Sequence, residues 1–233
     1  MREILDSYVN NSFGLPLQSE SKIRHFEYNY RHLFPENLNA KMLDIGVGLG
    51  EMLTCMRDWG YQDYIGIDIS PSTINFCKSL GLNCQQVEDS ANFLLEHSQQ
   101  YDVITLLDVL EHIKKEDVIN FLKALQTALR PGGLLIIQVP NLQSPDGYLH
   151  RYNDITHEFG YIEHSLAQVL ITAGFKNFQF KGFEEFVIGS ARENKLKLFR
   201  SIYWYFVHKL REINGNINPK ILNPVFSAFV LKE

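Results

Sequence analysis

Between residues 41 and 139 the chain alternates short apolar runs with stretches of helical period, and this alternation leaves little choice of fold. The apolar runs lie at 41–45, 64–68, 83–87, 102–107 and 134–139, each too short for a packed helix. The stretches between them, at 49–59, 71–80, 90–97 and 115–129, carry apolar residues at helical spacing. A strand, a helix and another strand in succession form a crossover, and crossovers join parallel strands. The pattern therefore predicts an α/β fold: a mainly parallel sheet with helices on both faces.

Outside this block the signals continue. Ser19 stands as a cap before Ile23, Phe26, Tyr30, Leu33 and Phe34, which predicts a leading helix over 19–34 that ends before Pro35. A polar loop rich in Tyr, His and Asp spans 140–160, followed by a helix at 163–173 that Gly174 closes. Strands near 176–182 and 225–231 bring the expected sheet to seven. Between them lies an insertion containing KLKLFRSIYWYFVHKLREI.

The 233 residues, 45% hydrophobic, suffice for one sizeable core. Cys55, Cys77 and Cys84 are odd in number and lack CxxC or Cys/His spacing, so neither a disulfide framework nor a structural zinc site is expected, and a reducing cytoplasm fits. The first residues lack the apolar stretch of a signal peptide, and no window approaches the roughly 18 apolar residues of a spanning helix. A net charge of −5 argues against a nucleic-acid-binding surface. The charge is uneven, however: seven Lys/Arg and two Glu give +5 between Arg192 and Lys220, leaving −10 on the remainder. In that region Leu196, Phe199, Ile202, Tyr203, Phe206, Val207 and Leu210 make an apolar stripe flanked by basic residues. Both a packed or homodimer-forming helix and a peripheral membrane contact through 195–213 suit this composition.

The segment from Met42 to Glu51 reads MLDIGVGLGE, an apolar strand running into alternating glycines and then a helix. Gly46, Gly48 and Gly50 allow a tight turn and close backbone approach to a ligand at a helix N-terminus. Asp68 ends the next strand, 22 residues after Gly46, near the usual offset for a carboxylate that takes ribose hydroxyls. Asp89 follows the third strand, where a carboxylate can accept an exocyclic adenine amine. Three consecutive strand ends of this kind outline a crevice along the carboxyl edge of the sheet.

These residues, together with YDVITLLDVLEHI at 101–113 and LRPGGLLIIQVPN at 129–141, resemble a class I S-adenosylmethionine-dependent methyltransferase over roughly residues 40–180. The resemblance implies a Rossmann-like fold, S-adenosyl-L-methionine as cofactor and a set of cofactor-binding positions. Gly46, Gly48 and Gly50 would face the methionyl part and Asp44 its amino end. Asp68, with Ile69 beside it, would meet the ribose, Asp89 and Ser90 the adenine, and Leu107 and Asp108 the edge of the sulfonium. A nicotinamide-dependent oxidoreductase also uses a Gly-rich first turn, but its G-x-G-x-x-G register would need glycine where Glu51 stands. A non-catalytic protein keeping the scaffold is the third reading, which the intact acidic positions disfavour.

Methyl transfer from a sulfonium is an in-line displacement, so alignment and exclusion of water matter most, and a base matters when the acceptor is an alcohol. The acceptor loop 140–160 follows the fifth strand, at the reactive edge. Its pattern Arg151-Tyr-Asn-Asp-Ile-Thr-His-Glu158 resembles methyltransferases of surface-polysaccharide and glycolipid biosynthesis. His157 is the candidate base, with Asp154 or Glu158 orienting its ring; the alternative is that His157 and Asp154 hydrogen-bond the loop into shape. Arg151 or His150 would hold an anionic group, and Tyr148 and Tyr152 would stack on a sugar ring. Asp108, Glu111 and His112 resemble the Glu, Glu, His metal set of ubiquinone-biosynthesis O-methyltransferases, although Asp108 is one carbon shorter. The competing role for Glu111 is to cap the following helix. No metal is expected here, and His112 is the alternative base.

The expectation is thus an N-terminal helical cap over 1–39 and a methyltransferase domain over 40–233, with a basic helical insertion at 190–222. Such a domain is expected to methylate a saccharide or glycolipid precursor on oxygen, in the cytoplasm, with a small-molecule or quinone acceptor as the alternative.

Overall fold

The structure, a computed structural model, describes residues 18–233. The start of the expected cap and the segment read for a signal peptide lie outside the described residues. Helix α1 (Glu20–Tyr30) opens as expected, with the Ser19 hydroxyl accepting the Lys22 N–H, and a 3-10 turn (Arg31–Leu33) brings the chain to Pro35. Then follow β1 (Met42–Ile45), α2 (Glu51–Asp58), β2 (Tyr64–Asp68), α3 (Pro71–Ser79), β3 (Cys84–Gln86), α4 (Ser90–Glu96) and β4 (Tyr101–Leu107). A 3-10 turn (Leu110–His112) precedes α5 (Val118–Ala128), β5 (Leu129–Pro140), α6 (Gly147–Tyr152), α7 (Glu163–Thr172), β6 (Asn177–Gly182), α8 (Ala191–Ile213) and β7 (Val225–Leu231).

The seven strands form one sheet in the order β3-β2-β1-β4-β5-β7-β6. The pairs from β3 to β5 are parallel, while β7 runs antiparallel to both β5 and β6. The order reverses between β1 and β4, and at such a switch point the crossovers depart to opposite faces and leave a crevice at the carboxyl ends. Alternating strand residues feed two cores. Leu43, Ile45, Ile104 and Leu106 pack with α4, α5 and α7. Met42 and Val103 point the other way, toward α1, α2 and α3. Phe26 and Tyr30 are buried in that second core, so α1 is packed into the sheet's own hydrophobic layer.

Two local departures from the sequence pattern have physical causes. Helix α2 starts at Glu51 instead of 49 because Gly46, Gly48 and Gly50 all take positive φ (+74°, +52° and +79°), which ends the turn only at Gly50. The polar loop after β5 contains α6. Its first residue, Gly147, lies so close to the Asn141 carbonyl that a Cβ there would sit 2.7 Å from that oxygen. Among the described residues no helix is long and apolar enough to cross a membrane.

Candidate active site

The glycine turn is built on β1 and held by backbone bonds from Gly46 N–H to Ile67 O and from Gly50 N–H to Val47 O, both 2.8 Å. A Cβ at Gly46 would run into Val109, and one at Gly50 would lie 2.6 Å from Leu82. At Gly48 it would meet nothing within 4 Å, so the middle of the turn faces open space. Asp44 is buried beneath this turn, where it accepts the Thr105 hydroxyl at 2.6 Å. Burial pushes its carboxyl up to about 7; the Thr105 hydrogen bond and the Lys22 ammonium on α1 act against that. Asp68 accepts the Ser70 N–H at 2.8 Å and lies against the N–H groups of Val47, Gly48 and Ile69; burial raises its carboxyl despite those bonds. Ile69 is half-buried, and its carbonyl accepts from Gln86. Asp89 is exposed and caps α4, accepting the Asn92 N–H at 2.9 Å, so Ser90 opens that helix.

At the end of β4, Leu107 is half-buried and Asp108 takes a left-handed φ of +57°, uncommon for a residue with a side chain. The Gln138 amide nitrogen stands 2.9 Å from both Asp108 carboxylate oxygens. The Gln138 carbonyl oxygen accepts the Tyr30 hydroxyl, and Ser227 Oγ lies 2.7 Å from that same hydroxyl. A buried polar chain thus runs from β7 through α1 and β5 to the mouth of the crevice. Neither Tyr30 nor Gln138 stood out in the sequence, since each occupies a position whose periodicity marks it as core.

The acceptor loop closes over the turn after β4. The Glu111 carbonyl accepts the N–H groups of Glu158 and Phe159 at 2.7 and 3.2 Å. The Asp154 carboxylate accepts both the N–H and the hydroxyl of Thr156, at 2.8 and 2.7 Å, and Thr156 Oγ1 lies 2.8 Å from His112 Nδ1. A hydroxyl that donates to Asp154 accepts from His112, which places the proton of that ring on Nδ1 and leaves Nε2 bare. Burial, and then the neighbouring His157, lower the His112 pKa below the ordinary imidazole value. His157 stands edge-on to the His112 ring with centroids 4.7 Å apart.

Asp154 therefore supports His112 through Thr156, where the loop pattern pointed to the His157 ring. Glu158 is tied through its backbone, donating to Glu111 and accepting from Arg151 at 3.3 Å. Tyr148 and Tyr152 are exposed on α6, with the Arg151 guanidinium over the Tyr152 ring at 5.3 Å and His150 half-buried on the same short helix.

Glu111 is buried, yet neither of its carboxylate oxygens has a partner among the described residues. Burial and the nearby Asp108 raise its carboxyl well above the usual range. Glu111, His112 and His157 offer ligand atoms within 4.8 Å of one another. Such mixed oxygen and imidazole donors suit a divalent ion. This set differs from the Asp108, Glu111, His112 set of the sequence, because both Asp108 oxygens face Gln138.

Residues 23–179, well over half of the chain, match the family described as a methyltransferase domain. A ubiquinone biosynthesis O-methyltransferase of Saccharophagus degradans is 31% identical over 114 residues, and the match spans 47% of this chain and 47% of that relative. A SAM-dependent methyltransferase from Archaeoglobus fulgidus shares the fold, with a TM-score of 0.70 at 21% identity over 99% of both chains. So does a Burkholderia thailandensis 1,6-didemethyltoxoflavin N1-methyltransferase with bound S-adenosylhomocysteine, with a TM-score of 0.56 at 15% identity over 91% of this chain and 79% of that one. With the glycine turn, the switch-point crevice and these matches together, the chain belongs to the methyltransferase-domain family, and its fold is the one seen in S-adenosylmethionine-dependent methyltransferases.

Proposed function

We propose that this enzyme methylates a hydroxyl oxygen on a saccharide or glycolipid precursor, with His112 as its general base. The supporting observation is the Asp154–Thr156–His112 chain, which holds a half-buried imidazole, its pKa lowered, with its second nitrogen free beside the acceptor loop. S-adenosylmethionine supplies an electrophilic methyl group when bound. The protein contributes alignment and proton removal. The open face at Gly48, with Gly46 and Gly50 shaping the turn, receives the methionyl part; Asp44 holds its amino end, Asp68 and Ile69 the ribose, Asp89 and Ser90 the adenine. Leu107 and Asp108 border the sulfonium side, and Gln138 keeps the Asp108 carboxylate in place.

A sugar hydroxyl is a weak nucleophile until its proton leaves. A neutral His112 takes that proton at Nε2, and Asp154, reached through Thr156, stabilises the resulting cation. The loop's bonds to the Glu111 carbonyl hold His157 edge-on beside this point. Tyr148 and Tyr152 offer faces for a sugar ring, and Arg151, His150 and Glu158 surround its polar groups. Residues 18–39 act as a cap on the 40–233 domain: Gln18 donates to Leu49 O and Thr54 Oγ1 beside the glycine turn.

The experiment is methyl transfer from labelled S-adenosylmethionine to nucleotide sugars, polysaccharide intermediates and, in parallel, catechol-type quinone precursors. Label in a sugar, lost by roughly 10²- to 10⁴-fold in His112→Asn, supports the proposal. Label in the catechol arm alone would favour the second reading, a quinone-type acceptor, which rests on the partial match to the Saccharophagus degradans relative.

A further inference from the structure

Helix α8 is 23 residues long, and none of its residues is buried. One side is fastened to the body. Arg200 bonds Glu184 and Glu185 at 2.9 to 3.1 Å and stacks over Phe186 and Trp204, each 4.7 Å from the guanidinium. Arg211 donates to the Gln143 carbonyl at 2.6 Å. Helical period places Phe199, Ile202, Tyr203, Phe206, Leu210 and Ile213 on a different side, turned outward. Phe199, Phe206 and Leu210 stand 65%, 58% and 60% exposed, far more than a packed helix face leaves to water.

Charge distinguishes between the possible occupants of this face. The helix carries six Lys/Arg against two Glu, a net +4, which leaves −9 on the rest of a chain of net −5. Arg192, Lys195 and Lys209 border the apolar stripe, and Arg192 and Lys195 form no ion pair among the described residues. The two acids are engaged: Glu193 accepts the N–H groups of Ile188 and Gly189, and Glu212 pairs with Lys209. A second copy docking stripe to stripe would bring +4 against +4. An anionic lipid surface instead offers hydrocarbon to the aromatic stripe and negative headgroups to its basic border.

We infer that α8 is a lipid-docking helix that seats the enzyme on anionic bilayers through the Phe199–Ile213 stripe. The Arg211 bond to Gln143 then carries the acceptor loop to the membrane surface. Only the value of that placement for a lipid-linked saccharide rests on the acceptor proposed above; docking itself does not.

The test is co-sedimentation of the full chain with vesicles of phosphatidylcholine alone or with phosphatidylglycerol, without any methyl acceptor. The wild type should bind the anionic vesicles at least about tenfold more tightly than the neutral ones and be released by salt. Lys195→Gln/Lys209→Gln should weaken binding by about 25-fold, at roughly fivefold per basic residue. Phe199→Ser/Phe206→Ser should abolish it, with S-adenosylhomocysteine binding retained as proof of folding. Absence of pelleting, or equal pelleting of the wild type and the folded variants, overturns the inference. A dimer in solution that Phe206→Glu dissociates, with no vesicle binding, gives the stripe to a second copy instead. Because no acceptor is present, failure here is separable from failure of the saccharide assay.

Discussion

Thr156 places its hydroxyl 2.8 Å from Nδ1 of His112, and through that contact a loop residue sets which imidazole nitrogen is free. Thr156→Val keeps the side chain's shape and removes the hydroxyl. Turnover should fall by about 10- to 100-fold with little change in acceptor KM, since ring orientation matters most when the proton moves. Steady-state kinetics separates the two parameters, and a rise in KM alone would make Thr156 a binding residue.

The same chain makes a pH prediction. His112 sits below the ordinary imidazole range because burial and His157 disfavour its cation, while Asp154 favours it. The base must be neutral, so wild-type kcat should rise with pH along a limb lying below about 6.5. In Asp154→Asn the favourable charge is gone, the limb should move further to acid, and the plateau should drop. A limb unmoved in Asp154→Asn would mean that another group titrates.

Asp44 is the second pH-sensitive group. Its carboxyl is pushed up to about 7 by burial, so the folded state holds a proton there that the unfolded chain releases near the ordinary value of about 4. The stability it contributes is present below that unfolded value and is lost as pH rises through about 7. The free protein should therefore melt at a lower temperature at about pH 8 than at about pH 6, and Asp44→Asn should flatten that slope. If Asp44 holds the amino end of the cofactor, S-adenosylhomocysteine affinity should move the opposite way and strengthen with pH. Calorimetry at the two pH values checks both, and an unchanged slope in Asp44→Asn would leave it to Asp68 and Glu111, which burial also raises.

What was legible in the sequence follows from range. Strand and helix periods are local, so β1 to β5, the Ser19 cap and the Gly174 stop could be read directly, as could the glycine turn with Asp44 and Asp68 near it. Helix α6 was not legible: its residues are polar, and it is set by the close approach of Gly147 to Asn141. Gln138 lies in the run LLIIQVP, where a single amide reads as a tolerated core residue; its use for Asp108 depends on β4 and β5 being neighbours. Thr156 lay between two candidates, Asp154 and His157, and the role went to it because the loop folds back on the turn holding His112, 44 residues away.

Tyr30 tests whether the cap and the site are one unit. Tyr30→Phe leaves the Gln138 carbonyl oxygen and the Ser227 hydroxyl without their buried partner, which should cost about 1 to 3 kcal/mol of stability. Freed from Tyr30, Gln138 should hold Asp108 less firmly, and cofactor affinity should fall several-fold as well. Denaturant unfolding and calorimetry measure the two separately; a stability loss with unchanged affinity would confine Tyr30 to the core.

Gly46 and Gly48 share one turn, but their surroundings differ. Gly46 and Gly48 both have positive φ, +74° and +52°, so alanine at either should strain the backbone by roughly 1 to 2 kcal/mol. Beyond that shared cost they diverge. A Cβ at Gly46 collides with Val109 from the turn after β4, whereas one at Gly48 enters space that is empty to 4 Å. Gly46→Ala should therefore lower the melting temperature markedly, because the clash must be relieved in the body of the fold. Gly48→Ala should melt only a few degrees below the wild type yet lose S-adenosylhomocysteine binding by at least about tenfold, because its methyl group occupies the volume against which the methionyl part packs. If Gly48→Ala binds as tightly as the wild type, the cofactor does not approach the turn at its centre, and the cradle must be sought nearer Asp68 and Asp89.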